Sequence, residues 1–184
     1  MSQPAVPQPL SLYARFTLDL QRYQAYMDSA PARPDEFGDW PAASALQAGL
    51  GGRRGHAEAL TDPQPATVAE AIKAWRQDSW TGTPPVEYDE LRRELRIAML
   101  QVSGHPIEML RVLSPLRGAA GFNDAGSDDF ILAFDFRRGR GETPAYLRLS
   151  DGASRFERAP SAPHMDEARR HLDRAEAYLR ERAG

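Results

Sequence analysis

Residues 127–137 read SDDFILAFDFR, and this run limits the fold more than any other stretch of the chain. Phe130, Leu132, Phe134 and Phe136 alternate with Ile131, Ala133 and Asp135, so an extended backbone here sets four large apolar side chains on one face. Such a face has to lie against a core. The run leads through RRGRGETP into AYLRLSD and SRFERA, two more short β-like runs joined by DGA, and the series predicts an antiparallel meander.

The preceding chain adds helices to that sheet. SLYARFTLD, from Ser11 to Asp19, alternates with period two and predicts a half-buried strand. LQRYQAYMDSA then puts Leu20, Tyr23, Tyr26 and Met27 at helical spacing. From Pro31 to Pro65 five prolines and five glycines interrupt all periodicity. A long irregular excursion is expected there, either packed by Phe37, Trp40 and Leu46 or serving a binding task. Thr67 and Glu70 stand in the capping-box arrangement, and Val68, Ile72 and Trp75 share a face, which predicts a helix over 68–78. Over 86–104 the spacing of Tyr88, Leu91, Leu95, Ala98, Met99 and Val102 favours a helix. The rival is a shorter helix followed by a strand at RIAMLQVS, with PIEMLRVLSPL as the next helix. From His164 onward Ala168, Leu172, Ala175 and Leu179 form the stripe of a C-terminal amphipathic helix. No βα unit repeats. The expectation is therefore α+β: an antiparallel sheet of short strands packed with several helices, after a Pro-rich leader at 1–10, with 11–184 as one domain.

Composition removes several function classes. With no cysteine, disulfides, thiolate zinc sites and cysteine nucleophiles are impossible. FILAF and IAML fall far short of the roughly 20 apolar residues of a membrane span, and MSQPAVPQPL is no secretion signal, so a cytoplasmic location is expected. The net charge of -3 offers no field toward nucleic acid, and the aromatics do not interleave with basic residues on a common strand face. Lys73 is the only lysine among 23 basic residues, a bias expected of a GC-rich bacterial genome, so the arginines need no phosphate-binding explanation.

No motif assigns a catalytic residue, cofactor or metal. Arg137, Arg138 and Arg140, with Gly139 and Gly141, make an anion-binding turn conceivable, against a plain solvated turn. Asp124, Asp128 and Asp129 could ligate a hard cation but lack calcium-loop spacing, and a loop with Asx turns accounts for them. GLGGRRGH at 49–56 has Arg54 where a dinucleotide fingerprint needs its third glycine. His164 and His171 are seven apart, not the four of a zinc helix.

A small, cysteine-free, motif-poor chain with the acidic stretches DSAPARPDEFGDW and FNDAGSDD resembles the immunity proteins that bacteria make against secreted toxins of type VI and related polymorphic toxin systems. The resemblance implies stoichiometric binding that blocks a cognate toxin, with no chemistry of the protein's own. Asp35, Glu36, Asp39, Asp124, Asp128 and Asp129 would meet a basic toxin surface, with Phe37 and Trp40 as anchors. The alternatives are a small enzyme or ligand-binding domain with its anion at Arg137, Arg138 and Arg140, and a secretion accessory or chaperone that uses the C-terminal helix as its partner surface.

Overall fold

The computed structural model describes residues 9–40, 65–77, 86–103, 105–137, 143 and 145–183. Among these, six strands form one sheet: β1 Leu10–Thr17, β2 Glu87–Asp89, β3 Glu94–Val102, β4 Asp129–Phe134, β5 Ala145–Ser150 and β6 Ala153–Phe156. Their spatial order is β2-β3-β1-β4-β5-β6, and every neighbouring pair is antiparallel. Four helices accompany them, α1 Leu20–Asp28, α2 Val68–Gln77, α3 Pro106–Arg117 and α4 Ala162–Ala183. The fold is α+β.

The meander expected from the alternating run is present as β4, β5 and β6. Asp151 and Gly152, both at positive φ, close the β5–β6 hairpin in the mirror-image turn that matches strand twist. Both faces of the sheet are covered. Leu12, Phe16, Ile97, Met99, Ile131 and Leu147 point to one side and pack with Tyr26 of α1, Val68 and Ile72 of α2, and Leu110 and Leu113 of α3. Tyr13, Leu100, Phe130, Leu132, Phe134 and Tyr146 point to the other and meet Ala168, Leu172 and Ala175 of α4. All six residues of β4 are therefore buried. The stripe of the C-terminal helix is core cover.

Local signals place the helices. Asp19 caps α1 by accepting from Arg22 N at 2.8 Å. Thr67 Oγ1 accepts from Glu70 N, while the Glu70 carboxylate reaches back to Ala66 N. Ser161 Oγ accepts from His164 N, so α4 starts two residues before His164. The stretch 49–56 and Leu46 lie outside the described residues.

The helix favoured over 86–104 is not there. β2, a turn at 90–93 and β3 occupy that stretch, followed by α3, so the order after 94 is strand then helix. Leu91, which a helix would have turned toward the core, is 97% exposed at the tip of the turn. A β-bulge explains the misleading period: between the pairs Leu10–Val102 and Leu12–Met99, one residue of β1, Ser11, opposes two of β3, Leu100 and Gln101. The extra residue returns Val102 to the face of Met99 three positions on, and that spacing imitates a helical turn.

Candidate functional site

Residues 31–40 leave α1, make a short 3-10 turn at Pro34–Glu36 and fold back over the C-terminal end of α3. Glu36 Oε1 accepts from Arg33 N at 2.7 Å and Trp40 Nε1 donates to Pro34 O at 2.8 Å, which fixes the loop's shape. Its anchor is Arg117, whose side chain is 1% exposed. The guanidinium lies 4.0 Å from the Phe37 ring centroid, 4.6 Å from Trp40 and 5.1 Å from Phe156, an aromatic box around a cation. Nε donates to Ser154 Oγ at 2.8 Å, and Nη2 donates to Ser154 O at 3.0 Å and to Asp39 Oδ1 at 2.5 Å. Burial lowers the Arg117 pKa while Asp39 opposes the change, and an arginine stays charged throughout the neutral range.

This arrangement also finishes an edge of the sheet. β6 is an edge strand, and Ser154 and Phe156 turn backbone groups away from β5. Arg117 donates to the first of these, Ser154 O, and Asp39 Oδ2 accepts from the second, Phe156 N, at 3.4 Å. The ion pair thus stands where a neighbouring strand's amides and carbonyls would. Beside it runs an open groove of about 760 Å3 between the loop and the β5–β6 hairpin. Its lining mixes the apolar Phe37, Ala120 and Phe156 with the charged Glu36, Asp39, Arg117 and Arg155.

The acidic residues expected to form one partner surface separate into different environments. Asp35 is exposed beside Arg33, and Glu36, Phe37 and Asp39 line the groove. Trp40 is buried among Phe37, Phe156 and Arg117, so its ring belongs to the chain's own core and does not stand out as an anchor. Asp124 pairs with Arg22 and Arg93, each at 2.8 Å. Asp128 pairs with Arg148 and His164. Asp129 is fully buried, accepting from Thr17 N at 2.9 Å, Thr17 Oγ1 at 2.7 Å and Ser127 Oγ at 2.8 Å. A carboxylate enclosed in this way closes the end of β1 and cannot meet a partner. None of Asp124, Asp128 and Asp129 lines the groove. Among the described residues no group of three or more His, Asp or Glu is placed to hold a metal ion. Arg137 engages another residue, while Arg138 and Arg140 lie outside the described residues.

Two constellations carry no sequence motif. The His164 ring, 3% exposed, stacks on Phe130 at 4.0 Å between Asp128 and Tyr146. A carboxylate only accepts, so Nε2 donates to Asp128 Oδ2 at 2.9 Å, while Nδ1 is hydrogen-bonded to Tyr146 Oη at 2.8 Å. The chain of groups has the order of a proton relay, but Tyr146 and His164 are buried and line neither the groove nor the cavity beneath α4, so its work is to pin the start of α4 to β4 and β5.

The second constellation lies under the middle of α4. The His171 ring stacks on Tyr13 at 5.0 Å, and Tyr13 Oη donates to Glu167 Oε1 at 2.8 Å, whose other oxygen accepts from Arg15 at 2.6 Å. Burial, with Glu167 alongside, raises the Tyr13 pKa, so its hydroxyl stays protonated. Burial first, and then the charges of Arg96 and Arg174, lower the His171 pKa from its ordinary 6.5. The unfolded chain consequently binds a proton at this site more readily than the folded one below pH 6.5. Stability from this group is complete above that pH and is lost as pH falls through the depressed folded value. Melting temperatures measured against pH should show wild type losing more on acidification than His171→Gln. Parallel curves would exclude the effect.

No protein-family model, curated protein or solved structure matches the chain. Among the described residues no helix is long and apolar enough to cross a membrane.

Proposed function

We propose that the protein is a non-catalytic binding partner that neutralises a cognate bacterial toxin by holding a basic segment of it in the groove between the 31–40 loop and the β5–β6 hairpin. One observation carries this reading: the groove is open and broad and mixes apolar with charged lining residues, as protein interfaces do. A small substrate is better served by an enclosed pocket with convergent polar groups. Glu36 and Asp39 line the groove with Arg117 and Arg155, and since Arg117 is buried against Asp39, Glu36 and the exposed Asp35 beside the groove are the carboxylates left to attract a basic partner. The acidic loop is held rigid by Arg117, so little ordering accompanies binding.

Gly121 offers a clean test. It lines the groove, its φ is not in the left-handed region, and a Cβ built there meets nothing within 4 Å. Gly121→Arg therefore places a bulky cation in the groove with the fold intact. Co-purification with the product of the neighbouring gene, and protection of cells that express it, should both be seen with wild type. Gly121→Arg should weaken binding by about ten-fold or more with an unchanged melting temperature. Failure of wild type to bind or protect overturns the toxin reading, and full binding by Gly121→Arg overturns the groove as the site.

A further inference from the structure

The cavity beneath α4 lies on the opposite face of the sheet from α1, α2 and α3 and takes no part in the reading above. It is a partly open cavity of about 120 Å3, lined by Tyr13, Glu87, Arg96, His171, Arg174 and Tyr178 together with two alanines. Its walls are pre-set. Glu167 holds Tyr13 and Arg15, the Tyr13 ring holds His171, and Glu94 holds one end of the Arg96 guanidinium. The Nε of Arg96, like those of Arg15 and Arg148, is buried and has no hydrogen-bond partner, but Arg96 alone of these lines the cavity, where a bound acceptor would relieve the cost of an unpaired charged donor.

The charge of the lining narrows the ligand. The lining sets Arg96 and Arg174 against Glu87, with His171 kept neutral at pH 7 by burial, and Glu94 beside it already pairs with Arg96, so the positive excess is at most one charge and suits a monoanion better than a phosphate dianion. Guanidinium groups present forked donors matched to a carboxylate. Size sets a limit as well, since a cavity of about 150 Å3 accommodates benzene, so this one holds about five or six heavy atoms. We propose that the cavity is a binding site for a small monocarboxylate, held by Arg96 and Arg174 with the His171–Tyr13 stack as its wall.

His171 would report and modulate occupancy. The charged and titratable groups around it are Arg170 and Arg174 on α4, Arg96 on β3, Glu87 on β2 and Tyr13 on β1. Protonation of His171 adds a positive charge to the wall, so affinity for an anion rises as pH falls through its pKa.

Titration of the full chain with sodium acetate, sodium pyruvate and sodium phosphate, followed by the His171 ring signals in NMR, tests the site. Acetate and pyruvate should give saturable shifts that tighten on acidification, with phosphate weaker at neutral pH. Arg174→Gln, an exposed position that leaves the Arg96–Glu94 pair intact, and Arg96→Gln should each weaken pyruvate binding by about ten-fold, with folding checked by circular dichroism. Absence of a saturable His171 shift with either carboxylate overturns the proposal. So does unchanged affinity in Arg174→Gln, and so does tighter binding of phosphate than of pyruvate at neutral pH.

Discussion

Arg117→Ala should lower the melting temperature by about 6–12 °C, because it removes about 3 kcal/mol from a chain of this size. Three losses coincide. The side chain is almost wholly enclosed, so truncation opens a void between the rings of Phe37, Trp40 and Phe156. Ser154 O loses its donor, and the 31–40 loop loses the anchor that holds Asp39 against Phe156 N. The Asp39 side chain is 43% exposed, so its stranded carboxylate is rehydrated and adds little further penalty. Arg117→Met separates the parts, since it keeps most of the volume without the fork and should recover about half of the loss. Urea denaturation of the three proteins measures this. A change below about 1 kcal/mol in Arg117→Ala would show that the box is incidental to stability.

Asp129→Ala should be of similar size, about 3 kcal/mol. The fully buried carboxylate accepts three hydrogen bonds at the junction of β1 and β4, and alanine takes that acceptor from the part-buried Thr17 amide and hydroxyl and the Ser127 hydroxyl. Asp124→Ala is the control. Its ion pairs with Arg22 and Arg93 are partly exposed, so its removal should cost about 1 kcal/mol or less. Equal losses for the two aspartates in thermal or urea unfolding would contradict the distinction drawn between them.

These two residues also show how far the sequence can be read. The β4–β5–β6 meander and α4 were legible because burial on a face leaves a period, two for the strands and near 3.6 for the helix. The 86–104 stretch was misread because the bulge between Met99 and Val102 broke the first period and counterfeited the second. Phe37, Asp39 and Trp40 read from the sequence as partner-binding residues of an irregular loop, whereas in the fold all three close on one arginine. Their common partner lies 78 residues from Asp39, inside PLRGAAG, where nothing distinguishes Arg117 from any other arginine at a helix end. Asp128 and Asp129 are identical letters side by side, yet one is on the surface and the other in the interior, because successive residues of an extended chain face opposite ways. His171 and its cavity left no trace, since Tyr13, Glu87, Arg96 and Arg174 come from four separate elements.

The bracket that Arg117 and Asp39 place on β6 has a consequence for how copies of this chain behave together. An uncovered strand margin invites templated growth, in which one copy's sheet extends into the next and seeds insoluble fibres. Here the outward carbonyl of Ser154 and amide of Phe156 are already engaged by side chains of the same molecule, and the far margin, β2, is only three residues long. Each copy therefore blunts this margin of its own sheet against pairing with a strand of another.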